Sequence, residues 1–238
     1  MIQGLYKIFD HWHQKGTVWI CSDPHFDDPE MVNLVPNRPT AEEQVKLLNS
    51  KVGKRDTLIV LGDIGNVEWV KKVRGYKILI AGNHDAGLSN YERIHKVAQY
   101  SRIFYSTPEK AKAEFLLGGH YEDCEIIIRN NGDYWEIEAD NHLFDEVYGG
   151  PLMIGEKLIL SHEPVDVSWA FNIHGHDHSG WHSKDNHHLN VCLDRNGFLP
   201  LNLNQLMRNG LTSRVETIHR TTIDTATKRS KKRKGKKQ

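Results

Sequence analysis

Five short segments of this chain end in side chains that bind metal ions or move protons. They are Asp23-Pro24-His25, Gly62-Asp63, Gly82-Asn83-His84-Asp85, His162 and Gly175-His176-Asp177-His178. A turn after a strand calls for Gly, Asn or Asp, and each segment taken singly has that plain explanation. A turn does not call for histidine, which stands in four of the five. In His176-x-His178 the alternation of a strand puts both imidazoles on one face, where they can share a site. The donor set is imidazole, carboxylate and one amide, without a thiolate. That chemistry suits Mn, Fe, Zn or Ni, of which we expect Mn, rather than Ca or a Cys-bound structural zinc. Seven candidate ligands (Asp23, His25, Asp63, Asn83, His162, His176 and His178) are too many for one tetrahedral ion. They suit two divalent ions about 3.5–4 Å apart with one carboxylate between them.

The segments must be carried by elements that bring them together. "TVWICS", "DTLIVLGD", "YKILIAG", "KLILS" and "FNIHG" are compact apolar runs rich in β-branched residues, and each reads as a strand. Helical stretches lie between them. Thr40 with Glu43 three positions later forms a capping box that opens one helix, and "VEWVKKV" reads as another, stopped at Gly75. Further expectations are a helix over 2–13, a polar helix over 90–99, a hairpin turning at Asn131-Gly132, a strand at "HLNVCLD", and a last helix at "LNLNQLMRN" before Gly210. Strands alternating with helices predict a largely parallel α/β sheet. In such a sheet the carboxyl ends of the strands form the ligand crevice, so all five clusters should meet on one rim.

Composition bounds the rest. The chain has 238 residues, 38% hydrophobic and 26% charged, enough for a packed α/β domain. No apolar run is long enough to span a membrane, and the first residues lack a basic region followed by an apolar core, so a cytoplasmic protein is expected. Three scattered cysteines, Cys21, Cys124 and Cys192, read as reduced thiols. The formal charge of zero conceals an asymmetry. The last 11 residues hold 8 of the 31 Lys and Arg, leaving 23 basic against 31 acidic side chains in the first 227, a net −8. We expect one domain over 1–225, carrying an insertion at about 101–155, and a disordered basic tail over 226–238.

The ordered set D-x-H, G-D, G-N-H-D, H and G-H-x-H resembles the calcineurin-like metallophosphoesterase superfamily over residues 17–205. "SDPHF", "RPT", "ILIAGNHD", "LSHEP" and "NIHGHDH" followed by "LNVCLDRNGFLPLNL" are similar to its small bacterial and phage branch. The resemblance implies a layered αββα sandwich with mostly parallel central sheets. It also implies that Asp23, His25, Asp63 and His178 hold one metal, while Asp63, as the bridge, holds the other with Asn83, His162 and His176. His84 would be no ligand but would face the scissile phosphate, with Asp85 beside it orienting the turn. The implied reaction is phosphoester hydrolysis by attack of a metal-bridging hydroxide, with His84 protonating the leaving oxygen. In the protein phosphatases of the superfamily an Asp in a G-D-x-x-D context braces that histidine. Here "GDIGN" puts Asn66 at that spacing, and an amide cannot offset an imidazolium charge, so His84 should be less strongly held charged.

The substrate we expect is a phosphodiester, small or derived from nucleic acid. Two other readings share the sequence: a phosphomonoesterase on nucleotides or phosphoproteins, and a non-catalytic nucleic-acid-associated binding protein that keeps the fold. The filled pattern argues against the non-catalytic reading, and seven candidate ligands with an intact His84 argue against a structural one-metal protein. The basic tail offers salt-dependent, nonspecific contact with nucleic acid. Arg38 reads as a surface residue, with a clamp for a substrate phosphate as the second reading. His182, His187 and His188 read as a polar loop at the rim.

Overall fold

The computed structural model describes residues 16–155, 157–179, 185–213, 215, 225, 227 and 228. The helix expected over 2–13, His182 and nearly all of the basic tail lie outside the described residues. Thr225, Thr227 and Lys228 are helical, so helical backbone reaches the start of the segment expected to be disordered.

The apolar runs form strands, and these build two sheets. β1 (Val18–Cys21), β2 (Thr57–Val60), β3 (Tyr76–Ile80) and β7 (Glu146–Tyr148) lie parallel, with β12 (Leu201–Asn202) antiparallel on the outer edge of β1. The second sheet has β8 (Leu152–Ile154), β9 (Leu158–Leu160), β10 (Phe171–His174) and β11 (His188–Asn190). The last three are parallel and β8 is antiparallel. Alternation along each strand decides what packs where. Val18, Ile20, Ile59, Leu61, Ile78 and Ile80 face the second sheet and meet Leu158, Leu160, Phe171 and Ile173 in one core. Cys21, Leu58, Val60 and Leu79 point the other way, onto a helical layer. Burial on both faces is why these strands read as unbroken apolar runs rather than as alternating ones.

The helical layer is α2 (Ala41–Lys51) with a 3-10 helix over Val67–Lys72. The capping box read from sequence is formed: Thr40 Oγ1 accepts from Glu43 N, and the Glu43 carboxylate accepts from Thr40 N. Val45, Leu48 and Val52 then put an apolar stripe on the sheet. A core Leu→Ala change at Leu48 or Leu58 would cost about 2–5 kcal/mol. The shorter α1 (Pro29–Leu34) is capped by Asp28, which accepts from Glu30 N and Met31 N. α4 (Leu203–Arg208) packs beside β1, and its Asn204 side chain accepts from Val18 N.

A third layer stands apart. β4 (His95–Ser101), β5 (Glu125–Asn130) and β6 (Tyr134–Asp140) make an antiparallel sheet in the order β4-β6-β5, backed by α3 (Pro108–Leu117). It has its own small core around Ala111, Phe115, Ile137 and Ala139. The expected hairpin is present, with Gly132 in the left-handed region at φ 73°. The expected polar helix over 90–99 is not: residues 88–91 form a 3-10 turn and 95–101 form strand β4. In the structure the working period is two, with Ala98 and Tyr100 turned onto the small core while Val97 stays exposed. β7 and β8, inside the stretch set apart as an insertion, instead pair with the two main sheets. Arg93 joins the layers, bonding through Nε to Asp140 (2.9 Å) and through Nη1 to Asp145 (2.6 Å).

Candidate metal centre

The carboxyl ends of β1, β2, β3, β9 and β10 meet, as the sequence required. Close approach is possible only because the turns carry glycine. A Cβ on Gly62 would lie 2.4 Å from Gly82 N, and one on Gly175 would lie 2.3 Å from Asp23 Oδ2. Four of the assembled residues hold left-handed backbone that non-glycine side chains rarely adopt: Asp23 (φ 58°), His25 (39°), Asp63 (54°) and His176 (63°). Such strain clusters where the surrounding structure fixes side chains for a task.

Two groups of donors result. In the first, His25 Nε2 lies 3.9 Å and His178 Nε2 3.5 Å from Asp23 Oδ1. In the second, His162 Nε2 lies 2.8 Å from Asn83 Oδ1 and 3.1 Å from His176 Nδ1. Asp63 Oδ2 stands between them, 3.5 Å from His25 Nε2 and 3.3 Å from His162 Nε2. Ligands held at roughly 2.1 Å around one cation stand about 3–3.5 Å from one another; the second group has that spacing, at 2.8–3.3 Å, and the first is slightly wider, at 3.5–3.9 Å.

Hydrogen bonding tests whether cations fit. Asp23 is fully buried, and its Oδ2 accepts from His176 N (2.9 Å) and Cys192 Sγ (3.0 Å). Its Oδ1 has no hydrogen-bond partner and faces the two imidazole nitrogens. A buried lone carboxylate oxygen is costly unless a charge completes it. On Asp63, Oδ1 accepts from His84 N (3.0 Å), leaving Oδ2 to the donor groups. Three of the four histidines also turn the far nitrogen to an acceptor: His25 Nδ1 to Asp28 (2.9 Å), His178 Nδ1 to Asp194 (2.5 Å) and His162 Nδ1 to Leu61 O (2.7 Å). Such bonds fix the tautomer that leaves Nε2 free to ligate. The donor set fits a pair of divalent cations.

Protonation in the metal-free chain follows the same contacts. Burial alone would raise the Asp23 pKa, but the imidazoles of His178, 3.5 Å away, and His162 hold it well below the carboxylate range. Burial lowers His25 despite Asp63 and Asp23. For His178 burial is outweighed by the bond to Asp194 and the nearby Asp23 carboxylate, which push its pKa up to about 10.

The seven expected ligands are thus brought together, and His84 stands exposed at the mouth, its ring 5.7 Å from that of His25. Asp85, expected to orient the turn, accepts from Asp63 N (2.8 Å), Ile64 N (3.0 Å) and Gly82 N (2.9 Å), and so ties two strand ends together. Asn66 does not serve His84: it caps the 3-10 helix through Glu68 N and donates to Asp27. Arg38 is neither a surface residue nor free to clamp through Nη2, which donates to Asp23 O (3.2 Å) and Pro24 O. His188 sits at the start of β11, bonded to Asp185 (2.6 Å), away from the rim. Sequence reasoning missed Asp28, Asp194 and Cys192. Asp28 had a signal, three residues after His25 at a helix start; Asp194 and Cys192 had none that spacing could reveal.

A two-sheet α/β sandwich with paired His/Asp/Asn donors at the strand ends defines a class of metal-dependent hydrolase folds. The calcineurin-like phosphoesterase family model matches residues 16–201, and the chain belongs to that family. The family hydrolyses phosphoesters with divalent metal ions, and two of the donor groups described here are of the type that holds such ions. The gene 66 protein of Mycobacterium phage L5 is 29% identical over 123 residues, covering 44% of this chain and 59% of the relative. The chain therefore spans well under two thirds of that protein's length. A protein of unknown function from Aquifex aeolicus has a solved structure at 19% identity and a TM-score of 0.49, over 81% of this chain and 98% of that one. Among the described residues no helix is long and apolar enough to cross a membrane.

Proposed function

We propose that this chain is a dinuclear metal-dependent phosphodiesterase, acting on a small or nucleic-acid-derived phosphodiester. The observation that carries the reading is Asp63 Oδ2, which lies within 3.5 Å of an imidazole nitrogen from each donor group. Asp23, His25, Asp63 and His178 would hold one cation, and Asp63, Asn83, His162 and His176 the other, with Mn the expected ion. Bound there, two cations neutralise phosphate oxygens and acidify water.

The chain's own residues supply the rest. Asp28, Asp194 and the Leu61 carbonyl hold three imidazoles in their ligating orientation. Asp85 fixes Gly62-Asp63 against Gly82, which sets the position of the shared carboxylate. His84 is anchored through its backbone to Asp63 Oδ1 while its ring faces solvent. It is suited, at the mouth, to give a proton to a leaving alkoxide.

The test is turnover of bis-p-nitrophenyl phosphate beside p-nitrophenyl phosphate after Mn²⁺ loading, with His84→Ala as control. We expect metal-dependent turnover favouring the diester, reduced by roughly 10²–10⁴ in the variant. Preference for the monoester would move the substrate class. Two bound metals with no turnover of either compound would favour the non-catalytic reading.

A further inference from the structure

The opposite end of the first sheet carries a feature that the metal centre does not use. The turns that lead into β2 and β3 enclose, with the base of the third layer, an open cavity of about 710 Å³. Seven cationic side chains and two carboxylates line it. On a body whose first 227 residues carry a net −8, this is a local reversal of sign.

The cations divide into two sets. At the floor, Lys77 donates to Val73 O (3.2 Å) and His142 O (2.8 Å), and Arg93 is held by Asp140 and Asp145. These are committed to the fold. At the rim, Lys71 pairs with Glu68 (2.8 Å) and Lys72 lies 3.9 Å above the Trp69 ring. Lys54, Arg55 and Arg74 are exposed and make no ion pair or side-chain hydrogen bond among the described residues. Neither carboxylate forms an ion pair with these three. Asp56 accepts from Thr17 N, Gly53 N and Trp19 Nε1, and Asp145 is taken by Lys77 N and Arg93.

We propose that this basic cavity is a docking site for the phosphate backbone of a nucleic-acid strand. A terminal phosphate or small anion needs donors that converge on one buried point. Here the donors at the floor are spent, and the free charges are spread along two adjacent loops on an open rim. That arrangement suits a polymer with regularly repeated charge, bound by counterion release rather than by base contacts. The site faces away from the metal centre, separated by the length of strands β2 and β3, roughly 15 Å at about 3.3 Å per residue. It therefore stands whether or not the hydrolase reading does.

The experiment is fluorescence anisotropy of a labelled single-stranded oligonucleotide titrated with the full chain across a salt series. Four proteins are compared: the natural chain, K54Q/R55Q/R74Q, a chain whose tail Lys and Arg beyond Lys228 are replaced by Ser, and the chain carrying both sets of changes. The triple variant should bind roughly 10- to 100-fold more weakly at low salt, with a log–log salt slope reduced by about 2 for three lost phosphate contacts. The same decrement should appear when the triple is made in the tail-neutralised chain. Unchanged affinity and slope in the triple variant would overturn the site and assign all binding to the tail. Displacement of the oligonucleotide by a mononucleotide or tripolyphosphate at equal charge concentration would also overturn it, in favour of a small-anion pocket. Circular dichroism and turnover of a small ester, both expected unchanged, show that the variant is folded.

Discussion

The two ends of the first sheet treat charge in opposite ways. At the carboxyl end, Asp23, His25, Asp63 and His162 are buried, and most of their polar atoms are already taken by protein partners. What remains free is a small number of atoms aimed at each other across 2.8–3.9 Å. At the amino end, Lys54, Arg55 and Arg74 project into solvent from two turns and are aimed at nothing. The first arrangement costs left-handed backbone at four residues and gains fixed geometry for a point charge. The second costs the fold almost nothing and holds only a ligand whose own charges repeat. Preorganisation, not charge alone, separates a reaction centre from a binding surface.

The largest effect that this contrast predicts is at Asp63. Asp63→Asn removes the charge shared by both donor groups, and turnover should fall by about 10³ or more, on several kcal/mol of lost charge stabilisation. Metal content by mass spectrometry should fall with it. Retained content and turnover would show that the two groups do not depend on each other.

Next in size are the residues behind the ligands. Asp194→Asn leaves His178 without its anionic partner at 2.5 Å, and metal affinity measured calorimetrically should drop roughly 10–100-fold. An unchanged affinity would reduce Asp194 to a packing residue.

A pH dependence with two signs follows from His178. Its folded-state pKa is raised from 6.5 to about 10, so it contributes stability to the metal-free chain fully below pH 6.5 and loses that contribution as pH rises through 10. Thermal melts of the metal-free chain should therefore fall across that window, and His178→Ala should flatten the fall. A metal ion must displace that same proton, so its affinity should rise across the same window, by up to about tenfold per pH unit. Both trends running in one direction would contradict the assignment.

The smallest effect belongs to the amino end. K54Q/R55Q/R74Q should change stability by within about 0.5 kcal/mol per site in a denaturant titration, since all three residues are exposed. A larger loss would mean that the basic rim holds the fold rather than a ligand.

Much of this was legible in the sequence, for a local reason. A strand that is buried on both faces is an unbroken apolar run, and the residues just past its end must lie on a rim. Asp23, His25, Asp63, Asn83, His162, His176 and His178 could thus be collected before any coordinates. What sequence could not show was anything set by distant contact. Asp194 lies 16 residues from His178, and Cys192 lies 169 from the Asp23 it donates to. Asp85 stands beside His84 in the chain yet bonds to residues 21 and 22 positions away. β4 was misread because its register with β6, not its own weak pattern, makes it a strand.

The central claim is that Asp63 stands between two metal sites. Crystals of the natural chain soaked in Mn²⁺ and measured at the manganese edge test it most directly. The account predicts two anomalous peaks, one on each side of the Asp63 carboxylate, one near Asp23, His25 and His178 and the other near Asn83, His162 and His176. A single peak at full occupancy, or two peaks that do not share Asp63, would contradict it.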